Sequence, residues 1–363
     1  MLVSSSVLAR SRILRIAVLG AIMAVVSSAT ARRPKSGKKG GTTHQSGGKG
    51  KTSSLKFTHV VTLGDSFASG TGIHRSPGAY DDHGPANHWW SKKRLGARTC
   101  YRETDWTPGS MYAKSIGATN VFLACRGALA EDEEGQRHVL NQLAGATLPL
   151  DGANTLIVLS VGGNDLRTPS QPGTSAPPWR KKADWPDTLA SCILEKDCHE
   201  NKYHQISNFS AVQSSLSETY RSIAKKYPKA TIRVLSYPRL MQPRKQTACP
   251  VYVTGINHKE AQWIDAQVDR LNQHIGKAVS DVGGSVDIRQ VLVADEFDGH
   301  GACSPSGNRF INDRVNGNVL DRRLQGSSVV EFEQLGPAGA AFSSFHPTPA
   351  GYDAYLRALK KTL

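Results

Sequence analysis

The sequence has no apolar run near its N-terminus long enough to cross a bilayer: Ile16 to Val26 is 11 residues, well short of the roughly 20 a spanning helix needs. It has no Asp or Glu between Arg32 and Lys56, so that stretch cannot balance its own charge. It has no CxxC pair, which removes the tight ligand spacing of structural zinc sites. No periodic internal copy appears, which excludes a solenoid or propeller. With 34 glycines and 18 prolines among 363 residues, a plain helical bundle is a poor fit and many long loops are expected.

What is present reads first as an export leader. Arg10, Arg12 and Arg15 precede the short apolar run, and Ala29-Thr30-Ala31 offers the small-x-small site a signal peptidase accepts. Residues 1–31 are therefore expected to be a secretory signal peptide, with a retained membrane anchor the alternative. Residues 32–56 carry eight Lys or Arg among Gly, Ser and Thr, a composition expected to be disordered. These two segments hold most of the net charge of +15 and leave +4 for residues 57–363. The folded part is only mildly basic. The tail is expected to be a solvated spacer with at most weak attraction to anionic cell-wall or lipid surfaces. No aromatic residues interleave with its charges, so no specific nucleic-acid partner is expected.

Six cysteines in an exported chain favour disulfides. Sequential pairing would join Cys100 to Cys125, Cys192 to Cys198 and Cys249 to Cys303, although the count alone leaves other connectivities open.

The remaining 39% hydrophobic content can build a full core. Phe57–Leu63 reads as a strand running into Gly64-Asp65-Ser66, and Asn120–Ala124 as one running into Cys125-Arg126-Gly127. Thr155–Leu159 is a third, ending at Gly162-Gly163-Asn164-Asp165. Nearly continuous apolar runs suit central parallel strands. Helices are expected at Gly109–Ile116 and Glu131–Leu143, and at the helical spacings Ile206, Phe209, Val212, Leu216, Tyr220, Ile223 and Trp263, Ile264, Val268, Leu271, Ile275. Strands Ile232–Leu235 and Val286–Val293 follow the last two, and a short helix holding Tyr352, Tyr355 and Leu356 closes the chain. The alternation predicts a three-layer α/β/α sandwich with a mostly parallel central sheet, as one domain over residues 57–363. Residues 168–188 read as a long excursion. Trp89, Trp90, Tyr101 and Trp106 show no clean period; the tryptophans are expected to cover the core, with a cleft wall the alternative.

Ser66 stands at the end of a strand among small residues, the edge where open parallel sheets bind ligands. A helix cap is the bland role for a serine in that setting. His346, fixed by Pro347 in a loop before the last helix, is the histidine positioned to take a proton from Ser66. Attack by Ser66 creates an oxyanion. The backbone N–H groups of Ser66 and Gly127 and the side-chain amide of Asn164 are three suitable donors for it.

These segments together resemble the SGNH, or GDSL-type, hydrolase family. Gly64-Asp65-Ser66 is similar to its nucleophile block and Gly127 to its oxyanion glycine. Gly163-Asn164-Asp165 is similar to its asparagine block and His346-Pro347 to its histidine block. The cysteine pattern further resembles the secreted actinobacterial lipase and esterase branch. The resemblance implies hydrolysis of a carboxylic ester through an acyl-enzyme, with no cofactor and no metal. One departure stands out: Ser343 occupies the slot where the family pattern has an aspartate three residues before the histidine. As in some members of that branch, a main-chain carbonyl near Ser343 or Ser344 would then orient His346, making a Ser-His dyad. Asp65 and Asp165 are expected to brace their loops. Asp295, Asp298 and His300 are expected to make loop hydrogen bonds rather than a metal site. The expected substrate is a medium or long acyl ester and the expected protein a monomer. Phospholipase, carbohydrate acetylesterase and a non-catalytic glycan-binding role are the alternatives.

Overall fold

The computed structural model describes residues 57–73, 100, 102–131, 138–168, 183–184, 198–243, 256–284, 286–312 and 345–363. The chain divides into two units, Met1–Thr52 and Ser53–Leu363, and every described residue lies in the second. The expected leader and basic tail, Trp89, Trp90, Tyr101, Cys192, Cys249 and Ser343 lie outside the described residues.

A five-stranded parallel sheet organises the second unit. Its strands are β1 (His59–Gly64), β2 (Thr119–Phe122), β3 (Thr155–Ser160), β6 (Thr231–Leu235) and β7 (Asp287–Val291), in the order β2-β1-β3-β6-β7. Each expected strand is present, with no end moved by more than two residues. Parallel neighbours need crossovers, and the intervening helices supply them. The interior strands are almost wholly buried: every residue of β3 is, whereas the edge strands β2 and β7 are partly exposed. This is why Thr155–Leu159 reads as a continuous apolar run rather than an alternating one.

The helices include two packed pairs. α4 (Phe209–Lys226) lies against α5 (His258–Ser280), and α2 (Pro108–Ile116) against α7 (Pro349–Lys360). On α4, Phe209, Val212, Leu216, Tyr220 and Ile223 are buried, and on α5 so are Ile264, Val268, Leu271 and Ile275. Ile206 continues the apolar spacing but precedes the helix. α5 starts at a capping box, in which Asn257 accepts from the N–H of Glu260 while Glu260 accepts from that of Asn257, an arrangement of about 1 kcal/mol. α7 starts with Thr348 as cap and Pro349 in its first turn, where a missing N–H costs nothing. Of the helix expected over Glu131–Leu143, the described residues show α3 (Val139–Gln142), followed by a turn of 3₁₀ helix, while residues 132–137 lie outside the described residues.

Arg167–Thr168 (β4) pairs antiparallel with Ala183–Asp184 (β5), and the rest of the expected excursion lies outside the described residues. Trp106 packs against the core, as expected. Cys100 is bonded to Cys125 and Cys303 is also disulfide-bonded; the pairings that involve Cys192 and Cys249 fall outside the described residues.

Candidate active site

The site is assembled by the sheet. β1 and β3 run in register so that Gly64 pairs with Ser160, and the turns that follow both strands leave the sheet at one level. Gly64 has φ of +115°, and a Cβ there would lie 2.0 Å from the Ser160 carbonyl oxygen, so no other residue fits. The Gly64 main chain is also held by Gln142, whose Oε1 accepts from its N–H at 2.8 Å and whose Nε2 donates to its carbonyl at 3.0 Å.

Ser66 opens the short helix α1 (Ser66–Ser69) and is buried. The capping role belongs to its neighbour: Asp65 accepts from the Phe67 N–H at 3.0 Å. Ser66 Oγ is left to meet His346, whose Nε2 lies 2.8 Å away. These residues are 280 positions apart, and the distance is that of a hydrogen bond able to carry a proton. The His346 ring lies 5.0 Å from that of Phe67. Its main-chain oxygen accepts from both the N–H and the side-chain amide of Asn312, at 2.9 and 3.0 Å.

The second turn docks on the first. Cys125 donates its N–H to the Gly64 carbonyl at 2.8 Å and is bonded to Cys100, whose carbonyl accepts from Arg126. The buried Arg102 guanidinium donates to the carbonyls of Ala124 and Leu123. Gly127 then takes φ of +74°. The third turn meets the second through Asn164, whose Nδ2 donates to the Ala128 carbonyl at 3.1 Å; an amide nitrogen has a second hydrogen to give. Arg167 donates to the Asn164 carbonyl. Asp165 is fully buried and accepts from the N–H groups of Ala130 and Glu131, fastening the second and third turns together.

Asp65 and Asp165 thus brace loops. Burial pushes the Asp65 carboxyl up to about 7, against the opposing effect of Tyr237, Phe67 and Ser160 as donors. Burial likewise raises Asp165 to about 6 despite its backbone donors. His300 engages the Asn308 carbonyl at 2.7 Å and stacks on Phe310.

Reading the sequence alone overlooked Tyr237, Gln142 and Asn312. Each acts through main chain or a buried carboxyl brought from a distant strand end, and no local motif marks it.

The chain matches the GDSL-like Lipase/Acylhydrolase family over residues 62–354. It is 26% identical to a lipase of Streptomyces rimosus over 257 residues, 69% of this chain and 75% of that one. It is also 26% identical to Lipase 1 of Streptomyces coelicolor over 252 residues, 68% and 73% of the two chains. Among solved structures it is similar to phospholipase A1 from Streptomyces albidoflavus NA297, with a TM-score of 0.55 and 25% identity over 85% of this chain and 100% of that one. The extracellular lipase of Streptomyces rimosus superposes with the same TM-score at 24% identity, covering 84% of this chain and 100% of that one. With strand-end turns converging on a serine and a histidine, and a family match across most of its length, the chain belongs to the GDSL-like lipase/acylhydrolase family of serine ester hydrolases.

Proposed function

We propose that this protein is a secreted lipase or esterase that uses Ser66 and His346 as a dyad. The observation carrying this reading is the 2.8 Å contact between Ser66 Oγ and His346 Nε2. His346 takes the hydroxyl proton as Oγ bonds to the ester carbonyl carbon. The C–O bond to the alcohol then breaks, and the alcohol leaves with that proton. Water repeats the sequence and releases the acid. The oxyanion formed in each half is held by the N–H groups of Ser66 and Gly127 and the amide of Asn164. A main-chain carbonyl at Ser343 accepts the Nδ1 proton of His346, taking the place of an aspartate. No cofactor enters these steps.

Lipid esters with medium or long acyl chains are the favoured substrates. The likeness to proteins named lipase and phospholipase A1 supports this, and it makes phospholipid the second reading. Residues 1–31 act as the export leader, consistent with the extracellular lipase among its relatives. Residues 32–56 form a cationic spacer ahead of the catalytic domain, residues 57–363, which works as a monomer. The test is kcat/KM for short acyl esters, triglycerides, phospholipids and acetylated sugars, with wild type beside Ser66→Ala. Loss of hydrolysis in a folded Ser66→Ala supports the mechanism, and retained hydrolysis rejects it. A dominant preference for acetylated sugars rejects the lipid assignment.

A further inference from the structure

Beyond the residues of the reaction itself, one buried hydroxyl joins two of the three turns. Tyr237 lies two residues past the end of β6 and is buried. Its hydroxyl donates to Asp65 Oδ2 at 2.5 Å and accepts from the Gly163 N–H at 3.1 Å. Asp65 immediately precedes Ser66, and Gly163 immediately precedes Asn164. A single oxygen therefore spans the turn that carries the serine and the turn that carries the amide.

The tyrosine is itself fixed. Its N–H donates to Asn272 Oδ1 at 2.8 Å and its carbonyl accepts from Asn272 Nδ2 at 2.7 Å, a side chain of α5. Its ring meets Phe67 edge-on with centroids 5.1 Å apart. The same ring packs on Gly163, where a Cβ would come within 3.3 Å of it. The other carboxyl oxygen of Asp65 is held by Ser160 Oγ at 3.1 Å. Sliding the Asn164 turn relative to Ser66 would break the Gly163 bond, and tilting the Ser66 turn would break the Asp65 bond.

We propose that Tyr237 is a positioning residue that sets the Asn164 amide relative to Ser66 Oγ. The inference rests on the reading of Ser66 and Asn164 given under Proposed function. A positioning error of about 1 Å costs on the order of 100-fold in rate. The full chain carrying Tyr237→Phe should therefore lose about 10- to 100-fold in kcat on a soluble p-nitrophenyl ester, with KM changed by less than about threefold. Tyr355→Phe is the control. It removes a buried hydroxyl bonded to the Ser236 carbonyl at 3.0 Å, outside the three turns, and should keep the wild-type kcat.

The decisive measurement is a double-mutant cycle. In an Asn164→Ala background there is no amide left to position, so Tyr237→Phe should cost less than about threefold more. Equal losses in both backgrounds, an unchanged kcat for Tyr237→Phe, or an equal loss in Tyr355→Phe would overturn the proposal. If Tyr237→Phe does not accumulate folded, Asp65→Asn replaces it in the same cycle and is judged by the same outcomes. Activity surviving in Ser66→Ala would defeat the underlying mechanism. A dead Ser66→Ala beside a fully active Tyr237→Phe would defeat only the role of Tyr237.

Discussion

Asn312 grips the main chain of His346 twice, giving both its own N–H and its side-chain amide to the one carbonyl oxygen. The same Nδ2 donates to the Gly72 carbonyl at 2.9 Å, while the Phe345 N–H returns a bond to the Asn312 carbonyl. The histidine loop is thereby tied to the segment that follows α1. Phe345 takes φ of +60°, a conformation few side-chain-bearing residues adopt. Asn312→Ala removes the amide bonds to both loops. We expect kcat to fall about tenfold or more with KM little changed, read by steady-state kinetics on protein whose unfolding midpoint is recorded in parallel.

Gly72 reaches the same histidine by contact. It has φ of +103°, and a Cβ there would lie 2.7 Å from the His346 Cβ and 3.0 Å from the Pro347 carbonyl oxygen. Gly72→Ala should displace the imidazole and lower kcat about 10- to 100-fold. Gly117→Ala is the matched comparison, with φ of +69° but nothing within 4 Å of the added carbon. It should cost on the order of 1 kcal/mol of stability and leave turnover intact. Equal kinetic damage in the two variants would remove the steric argument.

Asn164→Ala deletes the amide proposed as the third oxyanion donor, together with its bond to Ala128. The expected loss is about 100- to 1,000-fold in kcat, with substrate affinity nearly preserved. A loss confined to KM would assign the amide to ground-state binding instead.

The buried carboxyls predict a stability profile. Burial raises Asp65 to about 7 and Asp165 and Asp265 to about 6, from ordinary values of 3.8. Between those values the folded protein keeps protons that the unfolded chain has released. Their contribution is complete below about pH 4 and is lost as pH rises through about 6 to 7. Asp151, Asp281, Asp287 and Glu296 lie below their ordinary range through their own donors and cations, and they act in the opposite sense on acidification. Asp65→Asn should reduce the drop in urea midpoint between about pH 4.5 and about pH 7.5. An unchanged drop would mean that Asp65 is ionised in the fold across that interval.

The sheet and its long helices could be read from the sequence because burial on both faces leaves an uninterrupted apolar run, as in Thr155–Leu159, and burial on one face leaves the stripe from Phe209 to Ile223. The pair Ser66 and His346 could be read because the segments around them resemble two blocks of a known family, and in the fold their Oγ and Nε2 lie 2.8 Å apart. Tyr237 and Gln142 stayed hidden. Tyr237 reads as one more aromatic after a strand, and its role exists only once β6 lies beside β3. Gln142 is a polar residue in a polar segment until its amide closes on both polar atoms of Gly64.

The level pairing of Gly64 with Ser160 separates what can vary in this enzyme from what cannot. The Ser66 and Asn164 turns inherit their level from backbone spacing in the interior of the sheet, whereas His346 is brought to them by the loop before α7. Engineers seeking new acyl preferences should therefore graft or lengthen the intervals between strand ends beyond the turns, where chemistry and selectivity are divisible. A one-residue slip of β3 against β1 would carry the Asn164 turn out of level with the Ser66 turn.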